Sequence, residues 1–174
     1  MLSLTSLAGW EDAVLASIAA ATGAPDERYR QIERSGLYGE YPAIVSGYVE
    51  LFDAEDSALE ALKRALFLVW RSAMFSPDIT GIAGLPDATS RLVMERLDSA
   101  IRRHATGDEL GWMLPWYRAS GSVALELLGA SPQVLRWPDG VDADAWRSAD
   151  ITAGRMARRG QLGRYWGALA ASPP

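Results

Sequence analysis

Between Ala54 and Phe75 apolar side chains return at helical spacing, and no other stretch restricts the fold so far. Leu59, Leu62, Leu66, Val69 and Ala73 recur every three or four residues, which is one face of an α-helix. Phe67, Trp70 and Met74 widen that stripe, which predicts a helix buried on more than one side. Ser76-Pro77 ends it, because the residue before a proline is pushed out of the helical region.

The same period runs through the rest of the chain. Leu7, Trp10, Val14, Ser17, Ile18 and Ala21 share a face until Gly23-Ala-Pro25. Asp26 to Arg34 is a short helix ending at Gly36, and Glu40 to Phe52 is another, with Pro42 tolerated in the first turn. The segment Pro77 to Pro86 reads as a loop from its two prolines and two glycines, with apolar Ile79, Ile82 and Leu85 plugging a gap or lining a pocket. From Asp87 to His104, Val93, Leu97, Ala100, Ile101 and His104 share a face, and Asp98 and Arg102 form an i,i+4 pair. Thr106-Gly-Asp-Glu109 has the spacing of a capping box and opens a helix that Pro115 should kink or split before Val123 to Leu128. Trp137-Pro-Asp-Gly140 is a turn, Asp142 caps a helical region to about Arg159, and Gly160-Gln-Leu-Gly163 interrupts it before Arg164 to Ala170. No run alternates strictly, so no strand is expected. The expected architecture is all-α: one helical bundle of about seven helices spanning 1–174 as a single domain.

Composition narrows the function. The chain has 174 residues, enough to bury about 70% of the surface its unfolded form would expose. Cysteine is absent, which removes disulfides, thiolate nucleophiles and thiolate metal sites. His104 is the only histidine, so Ser-His-Asp and His-rich metal arrangements lack their parts, and its place at a helix C-terminus explains it. The net charge of -5 argues against a nucleic-acid surface. The start of the chain has no basic region before its apolar stretch, and no apolar run is long enough to span a bilayer. A cytoplasmic location and no membrane partner are therefore expected. No glycine-rich phosphate loop is present and no cofactor is implied.

The acidic stretch Glu50, Asp53, Glu55, Asp56 and Glu60 is the main candidate site, since no basic residue lies between Glu40 and Glu60. It could steer a basic partner toward the protein. Helix capping competes with that reading: Asp53 would cap the following helix, Glu55 and Asp56 would sit in its first turn, and Glu60 would pair with Arg64. Trp112 and Trp116 belong to the densest aromatic segment and suit a binding hot spot, although burial explains most of that segment better, leaving one of the two partly exposed. Arg155, Arg158, Arg159 and Arg164, with Tyr165 and Trp166, form a basic-aromatic patch that could meet phosphate or pair with the acids inside the fold.

Glu95-Arg-Leu-Asp98 sets two carboxylates at i,i+3. That pair resembles the acidic pairs with which helical nucleotide pyrophosphatases hold Mg²⁺. The resemblance implies a metal-dependent hydrolase of nucleotides or phosphorylated small molecules, in which Glu50, Asp53, Glu95 and Asp98 would converge on the ion. The leading expectation is a non-enzymatic, protein-binding domain of immunity or adaptor type, as in bacteria, docking a basic protein through Glu50, Glu55, Asp56 and Glu60, with Trp112 and Trp116. A helical scaffold with an apolar pocket for a small ligand is the third reading.

Overall fold

In the computed structural model, residues 2–172 are described, and they are all-α: 74% helical, with no strand. The long helices are α1 (Leu4–Ala20), α2 (Pro25–Arg34), α3 (Glu40–Glu50) and α4 (Ala58–Met74). After the single turn α5 (Pro77–Thr80) come α6 (Asp87–Arg102) and α7 (Gly107–Leu127). The short α8 (Pro132–Arg136) and α9 (Ala153–Met156) flank a 3₁₀ turn at Ala143–Ser148, and α10 (Gly160–Ala171) closes the chain. Seven helices have at least seven residues, as the apolar period anticipates.

Helix α4 is the central post. Every residue from Ala61 to Trp70 is buried, because α3, α6, α7 and α10 all pack around it. This is the wide stripe of the sequence made physical, although Ala73, beyond the packed region, is exposed. Its aromatic end forms one cluster: Trp70 stacks on Tyr117 of α7 with ring centroids 4.5 Å apart, and Phe67 lies 5.3 Å from Tyr165 of α10. Trp166 of α10 fills the space between Trp112, Tyr117 and Trp146. Offset and edge-on pairs of this kind add to the burial of their large surfaces.

Several local expectations change. Helix α4 begins at Ala58 rather than near Ala54, because residues 51–57 wind as successive turns with bonds such as Ser57 N–H to the Ala54 carbonyl. Asp53 is consequently not its cap. Proline 115 does not break α7; the irregularity falls at Gly121, whose backbone leaves helical geometry where a side chain would run into Met74. The expected loop after Pro77 opens with the helical turn α5, and of its apolar residues Ile82 is buried while Ile79 is exposed. Asp142 does cap, accepting from the Asp144 amide, but only a 3₁₀ turn follows. The Gly160–Gly163 stretch starts α10 instead of interrupting a helix: Gly160 takes a left-handed φ of 58° and Gly163 lies against the Met156 carbonyl. His104, expected on the core face, is exposed at the end of α6 with φ 54°.

Candidate functional site

One end of the bundle gathers most of the chain's internal charge. The first turns of α4 present Glu60, Lys63 and Arg64, and the first turn of α7 adds Glu109. Arg159, just before α10, enters between them. Its Nε and Nη2 donate to Glu60 at 2.7 Å each, and Nη1 and Nη2 donate to Glu109 at 3.0 and 2.8 Å. Lys63 bonds Glu60 at 2.7 Å and also reaches Glu109. Arg64 donates to Glu60 at 2.8 Å and to the Leu4 carbonyl at 3.0 Å. Burial alone would push both carboxyls up. The hydrogen bonds and charges of Arg159 and Lys63 outweigh it, holding Glu60 at about 2 and Glu109 below its ordinary value. The same carboxylates keep the Arg159 guanidinium above its ordinary value despite burial.

These pairs explain why two sequence expectations fail. Glu60 is not part of an exposed acidic face, because its carboxylate is spent on three internal cations. The Thr106–Glu109 capping box does not form either: Thr106 caps no first-turn amide, and Glu109 turns inward. A carboxylate bonds more strongly to two buried cations than to a backbone amide. Gly107, at φ 59°, also bends the chain out of capping geometry. The i,i+4 pairs Glu60–Arg64 and Asp98–Arg102 are present as expected.

The remaining acids of the stretch face water. Glu50, Asp53, Glu55 and Asp56 are exposed on and beside the α3–α4 turn. Asp53, with a side chain 93% exposed, pairs with Arg96 at 3.2 Å, whereas Glu50, Glu55 and Asp56 enter no ion pair among the described residues. The structure does not bring Glu50, Asp53, Glu95 and Asp98 together: Asp98 is held by Ser131 and Arg102, Glu95 is exposed, and no three His, Cys, Asp or Glu side chains among the described residues cluster so as to hold a metal. Trp112 and Trp116 are half-buried rather than presented as hot spots. Trp112 lies edge-on to Trp166, and Trp116 donates to the Tyr165 hydroxyl at 2.7 Å. The basic-aromatic patch is likewise divided: Arg159 goes inward, Arg164 pairs with Asp12, and Arg155 pairs with Asp150.

Sequence reasoning missed Glu11. It is 1% exposed and accepts from the Tyr48 hydroxyl at 2.5 Å and from the Gln161 amide at 2.7 Å, which joins α1 to α3 and α10. Burial pushes its carboxyl up to about 7, against the two hydrogen bonds that favour its charged form. Glycine is required at position 160, because a Cβ there would come within 2.5 Å of the carboxyl. One signal was available: Glu11 stands four residues after Leu7 and three before Val14, on the apolar stripe itself.

The α4 and α7 ends border a groove of about 430 Å³ lined by Leu59, Thr106, Asp108 and Arg155 together with the ion network. Leu59 also lines a second hollow of about 220 Å³ that includes Glu55, Arg96 and Arg103. The exposed acidic turn and the charged groove therefore share one end of the bundle. Comparison with known protein families, with curated proteins and with solved structures found no match.

Proposed function

We propose that the protein is a non-enzymatic binding domain that docks a basic protein partner through the α3–α4 turn, in the manner of an immunity or adaptor protein. The observation that carries this reading is the contrast between the two sets of acids. Glu60 and Glu109 are consumed by internal cations, while Glu50, Glu55 and Asp56 stand in water with no cation partner among the described residues. Exposed like charges grouped on one turn attract an oppositely charged surface and raise the rate of encounter, an effect that salt weakens. The chain's net charge of -5 acts in the same direction.

The test is affinity capture at low and at high salt with the natural chain and with the double variant Glu50→Lys/Glu55→Lys, followed by titration of the captured protein in purified form. The expected result is a basic partner whose affinity falls on reversal and falls further with salt. A partner bound equally by both forms would refute the acidic interface. Magnesium-dependent hydrolysis of a phosphate ester by the pure protein would overturn the non-enzymatic reading.

A further inference from the structure

We propose that the hollow between α2 and α5 is a binding site for a primary alkylammonium group, held by the Tyr38 hydroxyl oxygen, the ring face of Tyr29 and the carboxylate of Asp78. The hollow has a volume of about 300 Å³, at the lower end of the range of small-molecule sites. Ile32 of α2 and Tyr38 of the 3₁₀ turn Leu37–Gly39 line it from inside, both buried. With Ala21 they form a small apolar cluster separate from the main core. Pro25 and Tyr29 of α2 line it from the exposed side.

The Tyr38 hydroxyl is the unexplained group. The residue is 8% exposed, and its hydroxyl is closed to water with no hydrogen-bond partner among the described residues. A buried hydroxyl without a partner loses its hydration with no return. Burial pushes it above its ordinary value; Tyr29, Asp78 and Glu33 push the same way, and Arg28 opposes them. Tyr29, Asp78 and Arg28 all line the hollow, so it is the hydroxyl end of the ring that faces it. The group is therefore a neutral phenol whose oxygen accepts an N–H donor. Tyr29, with its ring centroid 6.0 Å from that of Tyr38, is 45% exposed. Exposed side chains change rotamer within nanoseconds, which opens the hydroxyl to a ligand.

The charges fit a cation rather than an anion. Asp26 and Asp78 line the hollow and enter no ion pair among the described residues, whereas Arg28 is the one cation that opposes them there. Aromatic faces carry the negative side of the ring quadrupole and add to that attraction. The apolar surface of Ile32 and Pro25 suits an alkyl stem, which separates an alkylammonium from a bare metal ion. The accepting hydroxyl favours an ammonium that still carries N–H groups over a quaternary one. The hollow adjoins the start of α3, and the acidic turn follows its end, so the two sites stand or fall separately.

Titration of ¹⁵N-labelled protein with butylammonium chloride, against sodium chloride at matched ionic strength, tests the site. Saturable amide shifts are expected at Tyr29, Tyr38 and Asp78, and sodium butyrate should not produce them. Tyr38→Phe keeps the ring and should weaken binding about tenfold, the range of one hydrogen bond from a charged donor. Asp78→Asn and Tyr29→Ala should each weaken it about threefold, and Arg28→Gln should tighten it. Asp78, Tyr29 and Arg28 are exposed, and Tyr38→Phe removes only an unpaired hydroxyl, so these variants fold as the natural chain does. Further arms with Nα-acetyl-lysinamide and 1,5-diaminopentane separate the sources of the group. Tighter binding of the first assigns the site to a protein lysine, tighter binding of the second to a polyamine, and equal affinity to the alkylammonium alone. Absence of saturable shifts, shifts that sodium chloride or butyrate reproduces, or binding indifferent to Tyr38→Phe and Asp78→Asn would overturn the proposal.

Discussion

Arg159 meets Glu60 across 99 residues of chain through two parallel hydrogen bonds, Nε to Oε1 and Nη2 to Oε2, both 2.7 Å long. The two side chains are 7% and 20% exposed. The same guanidinium spans Glu109, so a single residue binds α4 and α7 to the segment that leads into α10.

Replacing Arg159 with Met keeps most of its packing and removes its charge. Glu60 and Glu109 would then face each other with Lys63 as their shared cation. The expected loss is about 3 kcal/mol, the lower part of the range for breaking a buried pair, because Lys63 and Arg64 remain. Urea denaturation measures it. A midpoint unchanged from the natural chain would show that the network adds nothing to stability.

Trp70 is 1% exposed and stacks on Tyr117. Trp70→Ala should cost about 3–5 kcal/mol, as a large aromatic leaving a packed core does. Its indole N–H has no hydrogen-bond partner, so Trp70→Phe removes a buried, unpaired donor along with some volume. The Phe variant should therefore lose much less than the Ala variant. Equal losses in thermal unfolding would contradict that account.

The helices were legible because each carries a local period: Leu62, Leu66 and Val69 report their own burial from their spacing. Short-range pairs were legible too, since Glu60–Arg64 and Asp98–Arg102 are set by one helical turn. The candidate site was readable only in part. Glu50, Glu55 and Asp56 are exposed as a docking surface needs, but Glu60 is taken by Arg159, and nothing local announces a partner 99 residues away. The same long-range pairing removed Glu109 from its capping box. Gly121 rather than Pro115 marks the irregularity in α7, because the approach of Met74 is a tertiary fact.

Thr106 separates a local reading of the sequence from the structure. A working cap would make Thr106→Ala cost roughly 0.5–2 kcal/mol. Its hydroxyl caps no amide here, so the substitution should change stability by less than about 0.5 kcal/mol. A larger loss in denaturant titration would restore the capping box.

Two buried carboxyls set opposite limits on the pH range of greatest stability. Glu11 rises from an ordinary 4.5 to about 7 on folding, because burial disfavours its charge. Folding then takes up a proton between those values, so the stability Glu11 contributes is complete below pH 4.5 and is lost as pH rises through 7. Glu60 falls from 4.5 to about 2: burial opposes its charge, and Arg159 and Lys63 prevail. Its contribution is present above pH 4.5 and is lost as pH falls through 2. Each limb can be no steeper than about 1.4 kcal/mol per pH unit, the limit for one proton. The two variants should therefore diverge from the natural chain in different windows. Glu11→Gln keeps one oxygen to accept from the Gln161 amide, can donate its NH2 to the Tyr48 hydroxyl oxygen, and cannot ionise. Its stability relative to the natural chain should rise between pH 4.5 and 7 and then level. Glu60→Gln should lose its disadvantage only in acid, as pH drops from 4.5 toward 2. Chemical denaturation across these ranges reads both differences directly. A Glu11→Gln difference that stays flat from pH 4.5 to 7 would mean that the Glu11 carboxyl titrates in the fold as it does in water, and that the hydrogen bonds from Tyr48 and Gln161 fully offset its burial.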